Sequence, residues 1–380
     1  MPFEPNTLFP GLLSESAARV AQAAVNQPGG ACPASITREM GWNAVLIPED
    51  QGGAGGEFED LAAIIEGIAT HAVSLPVITR CGVVPAILNV LPEQSDVCAL
   101  RGQVAEGSIV VELGGPLHAS DPTPPLSACL DQNSWRISGN TTGVELTEDC
   151  THLLAICRST TNGSNDLHAA RSHEGENTPV LALVPTTMLN SKKVSFHTMD
   201  DRQIVVINMD GLTLTDDHIL ATGETAKHAI QAGWRIAAAA TATDSVCSMG
   251  SALSRTISYL LERKQFGHAL ADFQALRHDV ARLYVTYELC RSLLQSTLRT
   301  LEPSSDNEDD TSALDLLGLY IGQESIRFAE TIIQLHGGMG MTREMPAAQL
   351  ATRLFANALR FGDPLTYYRK IDNLCDRKPT

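Results

Sequence analysis

The chain has 380 residues, long enough for two or three domains that each bury a hydrophobic core. Its 27 lysines and arginines against 44 aspartates and glutamates give a formal net charge of −17, and so acidic a surface repels nucleic-acid phosphates and anionic lipid. No apolar run reaches the roughly 18 residues of a membrane span. The first residues lack the basic flank and apolar stretch of a secretory signal. We therefore expect a soluble protein that binds neither nucleic acid nor membrane.

The cysteine pattern indicates a reducing environment. Nine cysteines are scattered from Cys32 to Cys375, and none forms a CxxC pair. An odd count without the spacing of zinc ligands is typical of buried thiols in a reducing cytoplasm. We therefore predict no bound metal and a cytoplasmic location.

Residues 1–108 are predicted to form a helical, loop-rich N-terminal domain. Apolar spacing and capping residues predict helices over residues 14–25 and 57–71. The glycine-rich residues 41–56 between them have neither GxGxxG nor GK[ST] spacing, so they do not form a phosphate loop. Such glycines let the backbone approach either itself, in a tight interdomain loop, or a ligand.

Residues 109–222 are predicted to form a small β-barrel-like middle domain. Their β-rich runs are short and are separated by turn residues, as in other small β-domains. The runs lie at residues 109–113, 135–137, 153–156, 180–184 and 204–207. The polar stretch at 158–179 predicts a mobile loop.

Residues 223–380 are predicted to form a C-terminal four-helix bundle. A proline-free, alanine-rich composition favours one long first helix. The four predicted helices cover residues 226–264, 273–301, 312–335 and 346–361. Long helices with mostly short connections indicate an antiparallel bundle. The expected fold class is therefore mainly α with a central β-domain.

Two segments of the predicted bundle carry distinctive sequences. Residues 259–267 read Tyr-Leu-Leu-Glu-Arg-Lys-Gln-Phe-Gly, and residues 336–340 read His-Gly-Gly-Met-Gly. Both resemble signature segments of the acyl-CoA dehydrogenase flavoproteins, which share the order of helical domain, β-domain and helical bundle. Weaker similarities at residues 41–53, 135–139 and 199–202 extend the resemblance along nearly the whole chain.

The resemblance implies a bound flavin adenine dinucleotide (FAD), whose pyrophosphate needs a cation and backbone donors. The residues that would contact it are Arg263, Gln265, Phe266, Gln274, Gln334, Gly337 and Gly338. The first three would reach the adenosine-pyrophosphate part of a flavin held by a neighbouring subunit. The two glycines would permit close backbone contact. Taken singly, the arginine is equally typical of a solvated helix end and the glycines of a helix stop.

The catalytic base of the family is missing from its usual place. Phe361 stands where the most common family pattern, Tyr-Glu-Gly-Thr, has the glutamate that removes the α-proton of a thioester. A minority of the family places the base on the first bundle helix. There Asp244 is the only carboxylate between Glu224 and Glu262. A partly desolvated Asp244 would serve as the base; the alternative is a surface or interface aspartate.

The β-domain also departs from the family pattern. Where the family has Thr-Glu-Pro followed by Gly-Ser-Asp near the flavin ring, this chain has a degenerate stretch from Glu112 to Asp121. Together with the missing glutamate, this resembles the small or β-type subunits of heteromeric acyl-CoA dehydrogenases. The sequence from Phe361 to Pro364 resembles the small subunits of pimeloyl-CoA-type and steroid side-chain enzymes.

The resemblance implies α,β-dehydrogenation of an acyl-CoA thioester, in fatty acid or steroid degradation, with electrons passed to an electron-transferring flavoprotein. The expected assembly is a heterotetramer with a larger homologous subunit, or a homo-oligomer. One alternative is a catalytically silent subunit that lends flavin contacts to its partner, and the missing glutamate favours this over an autonomous dehydrogenase. The other is a flavin oxidase or monooxygenase on the same fold. The alanines at 237–240 indicate either room for a bulky acyl group or close helix packing.

Overall fold

The computed structural model describes residues 3–26, 32–115, 117, 126–131, 134–160, 178–189, 193–300, 308–342 and 344–375. Contacts divide the chain into two compact units. The first comprises Met1–Cys32, Ala62–Leu75 and Ala238–Thr380, and the second comprises Pro33–Leu61 and Pro76–Ala237. The division into domains at 1–108, 109–222 and 223–380 stays a prediction.

Several helices form where alanine content and apolar spacing favour them. The helices at residues 95–106 and 308–336 end directly before Gly107 and Gly337, whose left-handed φ angles of 73° and 58° suit a residue without a Cβ atom. The helices are α1 (Leu12–Val25), α2 (Ile36–Glu39), α3 (Phe58–Ala69), α4 (Val84–Asn89), α5 (Ser95–Glu106), α6 (Gly223–Glu262), α7 (Gln274–Thr300), α8 (Glu308–His336), α9 (Pro346–Arg360) and α10 (Pro364–Cys375).

The main sheet is mixed and is confined to the second unit. The strands of the chain are β1 (Val111–Leu113), β2 (Leu126–Asp131), β3 (Ser134–Gly139), β4 (His152–Ser159), β5 (Pro179–Pro185), β6 (Lys193–His197), β7 (Gln203–Ile207), β8 (Leu212–Leu214), β9 (Ile219–Thr222), β10 (Lys264–Gln265) and β11 (His268–Ala269). The sheet runs in the order β8-β3-β2-β4-β5-β9, and β1 pairs in parallel with β4. The central strands β4 and β5 are almost continuously buried, whereas β2 begins with alternating burial.

The predicted fold class is confirmed, since a mostly helical chain carries a curled central sheet and ends in a helical bundle. The four predicted bundle helices correspond to α6 to α9, with ends that differ by up to four residues. Strands β2, β6 and β8 to β11 and helices α2, α4, α5 and α10 were not predicted. Helix α10 is short and poor in alanine, and it depends on Asp363, whose carboxylate accepts a hydrogen bond from the Thr366 N–H at 2.7 Å.

The glycine-rich loop of residues 41–56 folds on itself. The N–H groups of Gly53, Gly55 and Gly56 donate to carbonyls of residues 45–48 at 2.8–3.0 Å. A Cβ atom on Gly53 would lie 1.9 Å from the Ile47 carbonyl oxygen. These glycines therefore let backbone approach backbone, which is the first of the two interpretations of the sequence.

Several sequence predictions fall outside the described residues. These are most of the polar loop at 158–179 and much of the degenerate stretch that ends at Asp121. Of the eight cysteines that the structure describes as free thiols, four are buried and four are partly exposed, so burial of all thiols was wrong. No helix in the described ranges is long and apolar enough to span a membrane. Over the same residues, no cluster of three or more histidine, cysteine or acidic side chains could hold a metal.

A buried hydrogen-bond network around Arg80 joins several segments of the second unit. Arg80 lies in a π-helical segment, Ile78–Val83, and is 2% exposed. Its Nε and Nη2 atoms donate to Glu112 Oε1 at 3.1 and 2.6 Å, and its two Nη atoms donate to Asp149 at 3.1 Å. The Nη1 atom also reaches the Ala34 carbonyl. One guanidinium thus joins four separate segments of the chain.

Two carboxylates, those of Glu112 and Asp149, lie beside the single positive charge of Arg80. Burial raises the pKa of Glu112 to about 8, although the Arg80 charge acts in the opposite sense. Burial also favours a higher pKa for Asp149. The hydrogen bonds from Arg80 and Thr147 outweigh burial, so the pKa of Asp149 is lowered. The hydrogen bonds to Asp149 therefore favour its charged form beside Arg80, whereas burial favours the protonated form of Glu112.

We predict that Glu112→Gln flattens the pH dependence of stability. The folded-state pKa of Glu112 lies above its ordinary value of 4.5, so the folded state binds the proton more tightly than the unfolded state does. The unfolding free energy of the native chain should therefore decrease as the pH rises from about 4.5 to about 8. Thermal melts of Glu112→Gln across this range should show a smaller decrease in Tm. Glu148→Gln, at an exposed position, is the matched control and should keep the pH dependence of the native chain. Equal changes of Tm with pH in Glu112→Gln and in the native chain would contradict the prediction.

Candidate functional site

A tight hairpin presents part of the predicted cofactor-binding segment. Strands β10 and β11 pair Gln265 with His268, so Phe266 and Gly267 form a two-residue turn. Both have positive φ angles, 54° and 81°, as in a type I′ turn. This conformation is unfavourable for an aromatic residue, and such strain is typical of functional sites. The Phe266 side chain is 88% exposed, with its ring edge-on to Phe273.

The polar side chains of this segment have no partners within the described part of the chain. Arg263 and Gln265 are exposed, and neither side chain makes a hydrogen bond or ion pair there. Gln274, the first residue of α7, is also exposed and unbonded. The hairpin is held in place by its backbone instead, since the Leu270 N–H donates to the Arg263 carbonyl at 2.8 Å. The donors of these side chains are therefore available to a ligand.

The second signature segment lies against the first. The Tyr259 ring stacks on the His336 ring with centroids 4.5 Å apart and an interplanar angle of 27°. Tyr259 is one helical turn before Arg263, and His336 is two residues after exposed Gln334. The structure thus brings together the C-terminal ends of α6 and α8, as the sequence resemblance requires.

His336 supports the glycine turn that follows it. It is 4% exposed, and its Nδ1 atom lies 2.9 Å from the Ile332 carbonyl oxygen, so Nδ1 carries the proton. Burial lowers the pKa of His336, which keeps the ring neutral. Gly337 and Gly338 are exposed, and a Cβ atom on either would meet nothing within 4 Å. A ligand can therefore approach the backbone closely at this turn.

The predicted flavin residues fit an anionic dinucleotide. Together they offer an unpaired cation, amide donors, an exposed aromatic ring and an open glycine turn, which are the groups that recognise a pyrophosphate and an adenosine. All of them face solvent within this one chain. This exposure is what a site shared with a neighbouring subunit requires.

Asp244 is a buried ion-pair partner. Its side chain is 1% exposed, so the interpretation as a surface aspartate was wrong. Arg353 on α9 donates through Nε to Oδ1 at 2.7 Å and through Nη2 to Oδ2 at 2.5 Å. Asn357, one turn further along α9, donates to Oδ1 at 2.6 Å. The remaining Nη1 of Arg353 donates to the Val73 carbonyl at 2.8 Å.

These contacts disfavour a role for Asp244 as a base. Burial raises the pKa of the carboxyl group, but the charge and hydrogen bonds of Arg353, together with the Asn357 amide, outweigh burial and lower the pKa of Asp244. A general base works best with a pKa near the operating pH. Both oxygens also accept hydrogen bonds already. The catalytic assignment of Asp244 stays a prediction that the geometry does not favour.

Phe361 offers no replacement for a base. It lies just after α9, half-buried, with the Arg360 guanidinium 5.3 Å from its ring centre. Arg353 and Asn357 were not predicted from the sequence. Their spacing of four residues places them on one face of an amphipathic helix, but no local pattern identifies Asp244 as their partner.

We predict that Asp244→Asn destabilises the first unit by about 3–5 kcal/mol, since it leaves the Arg353 guanidinium buried without a counter-charge. Urea unfolding measures the change. The matched control is Asp279→Asn, which breaks the exposed pair with Arg282 and should cost at most about 1 kcal/mol. Equal costs for the two variants would show that the Asp244 pair is not a buried structural contact.

The chain is similar to known acyl-CoA dehydrogenases. A family model described as the acyl-CoA dehydrogenase C-terminal domain matches residues 228–362. Acyl-CoA dehydrogenase FadE28 of Mycobacterium tuberculosis is 24% identical over 321 residues, covering 82% of this chain and 85% of that protein.

Solved structures share the fold. The ChsE4-ChsE5 complex from Mycobacterium tuberculosis matches with a TM-score of 0.79 at 13% identity, covering 99% of this chain and 100% of that one. A variant of the Tcur3481-Tcur3483 steroid ACAD matches with a TM-score of 0.76 at 20% identity, covering 96% of each chain. The family model, the sequence relative and the shared fold agree that the chain is similar to the acyl-CoA dehydrogenases.

Proposed function

We propose that this chain is one subunit of an FAD-dependent acyl-CoA dehydrogenase that oxidises the α,β bond of a CoA thioester, and that a larger homologous subunit supplies the catalytic base. The observation that carries the proposal is the contrast between two sets of side chains. The flavin-binding set is exposed and unbonded, whereas Asp244 is buried and paired. Bound FAD would accept the hydride from the β-carbon.

The cofactor role of the chain follows from its surface at the ends of α6 and α8. Arg263 would pair with the pyrophosphate, and Gln265 and Gln334 would donate hydrogen bonds to the dinucleotide. Phe266 would pack against its adenosine half, and the turn at Gly337 would offer backbone N–H groups. Since all these groups point away from their own chain, the flavin they contact would lie between subunits.

The assignment to a heteromeric enzyme is supported by the relatives. One solved structure of this fold is a complex of two differently named chains, ChsE4 and ChsE5. Another is a variant of the Tcur3481-Tcur3483 steroid ACAD. We extend both features to this chain: a partner subunit and a substrate from fatty acid or steroid degradation, with an electron-transferring flavoprotein as the acceptor. Its free thiols suit the cytoplasm.

We predict that Arg263→Ala weakens flavin binding by roughly ten- to a hundredfold, the effect of losing one charge-assisted hydrogen bond. Flavin absorbance after dialysis of the assembled complex at low flavin concentration measures the retained cofactor. Arg282→Ala is the matched control, because Arg282 is an exposed arginine of the same bundle that already pairs with Asp279. Unchanged flavin retention in Arg263→Ala would refute the cofactor assignment.

The location of the base is tested by removing both charges of the buried pair. We predict that Asp244→Leu/Arg353→Leu in the flavin-loaded complex keeps most of its turnover with an acyl-CoA substrate. The double change leaves no unpaired charge, so it disturbs the fold less than Asp244→Asn does. Loss of a true general base would lower turnover by about 10²–10⁴-fold.

If the double variant still assembles and binds flavin but loses that much turnover, Asp244 would be the catalytic base. The single variant Arg353→Leu serves as the control, because it keeps the carboxylate but breaks the same pair. If Arg353→Leu loses as much turnover as the double variant, the loss comes from breaking the ion pair and not from removing a catalytic base.

A further inference from the structure

The two segments proposed to bind the flavin are distant in sequence and come together at a ring contact. The hairpin that starts at Arg263 follows α6, and the glycine turn at residues 337–341 follows α8. Tyr259, one helical turn before Arg263, stacks on His336 with ring centroids 4.5 Å apart. A ligand that contacts both segments needs them at one fixed separation, because its own geometry must satisfy both at once.

Three contacts converge on His336. Its Nδ1–H donates to the Ile332 carbonyl at 2.9 Å, which fixes the plane of the ring at the last turn of α8. One face of the ring meets Tyr259. The glycine turn folds back on the same helical turn, since a Cβ atom at Gly340 would lie 2.6 Å from the Ile333 carbonyl oxygen and 3.1 Å from the His336 Cβ atom. The position of the glycine turn therefore depends on that of His336.

An imidazole at position 336 has a cost that a purely apolar ring would not have. His336 is 4% exposed, and its Nε2 atom is buried without a hydrogen-bond partner in the described part of the chain. A buried acceptor without a donor costs free energy, and phenylalanine would avoid that cost. The imidazole instead has the Nδ1 hydrogen bond that sets its orientation. Histidine thus supplies an oriented ring at this position, which filling the space alone would not require.

We propose that His336 is a positioning residue for the flavin site: stacked on Tyr259, it holds the glycine turn at the separation from Arg263 that one dinucleotide requires. The inference rests on the proposed function, in which both segments contact the same flavin. Without the stack, the ends of α6 and α8 would also populate other separations. Only a fraction of the molecules would then be ready to bind, and the apparent dissociation constant would rise by the inverse of that fraction.

The test measures the FAD affinity of the assembled complex by titrating the flavin-free protein with FAD. His336→Leu removes the stacked ring, and its dissociation constant should rise by about two- to tenfold, the range expected for one aromatic pair. Tyr259→Phe keeps a stacked ring and should keep the native affinity. Adding Tyr259→Leu to His336→Leu should raise the constant no further than the larger single effect, because both changes remove the same contact.

Tyr287→Leu is the matched control for lost packing. Tyr287 is an aromatic residue of α7 in the same unit, 2% exposed, with its ring edge-on to Phe3. Melts of the flavin-free complex should show a lower Tm for both Tyr287→Leu and His336→Leu, whereas only His336→Leu should bind FAD more weakly. Native affinity in His336→Leu would overturn the proposal. Equal weakening in Tyr287→Leu would also overturn it, since affinity would then follow stability in general. If His336→Leu does not fold, Tyr259→Leu replaces it.

Failure of the proposed function gives a different result from failure of the positioning role. If the flavin does not contact this surface, Arg263→Ala also keeps native FAD affinity, and both inferences are overturned. If the flavin binds there without help from the ring pair, Arg263→Ala loses affinity while His336→Leu does not. That second result overturns the positioning role alone.

Discussion

The arrangement of the bundle depends on the ion pair between Asp244 and Arg353. A charge buried in a protein interior must be paired and hydrogen-bonded, because desolvation otherwise costs several kcal/mol. Here the carboxylate accepts from both arms of the guanidinium and from the Asn357 amide. The pair fixes α9 on α6 at two points one turn apart. It therefore also fixes the chain that leaves α9, which carries Phe361.

The same pairing decides what the carboxylate can do. A carboxylate held by a bidentate arginine has a lowered pKa and no free lone pair directed at a substrate, so it is a poor proton acceptor. Glu112, the other buried acidic residue that the sequence singled out, is also engaged with an arginine, in its case Arg80. In each unit the buried carboxylate forms an ion pair with an arginine. The groups left unbonded at the candidate site are those that would bind the cofactor in the proposed function.

Much of the fold could be predicted from the sequence, since long alanine-rich helices and short β-rich runs are determined by local composition. Helix α10 could not, because its stability comes from the Asp363 cap and from the contact of Tyr367 with Gly318. The proposed flavin residues could be read as motifs, because their neighbours in sequence are their neighbours in space. The environment of Asp244 was not found, because Arg353 lies 109 residues away along the chain. Pairing over such a distance leaves no local pattern.

The exposed and the buried residues of the bundle together support the proposal that a second chain completes the site. The surface at the ends of α6 and α8 keeps an unpaired Arg263 and a strained, exposed Phe266, and the strain at Phe266 costs free energy unless a partner or ligand compensates for it. Beside Phe361, by contrast, the interior is filled by Tyr367 and leaves room for about one water molecule. In the proposed function, a chain that leaves the first surface open and fills the second space is suited to completing the flavin site of a neighbour, and that neighbour would hold the acyl chain and the base.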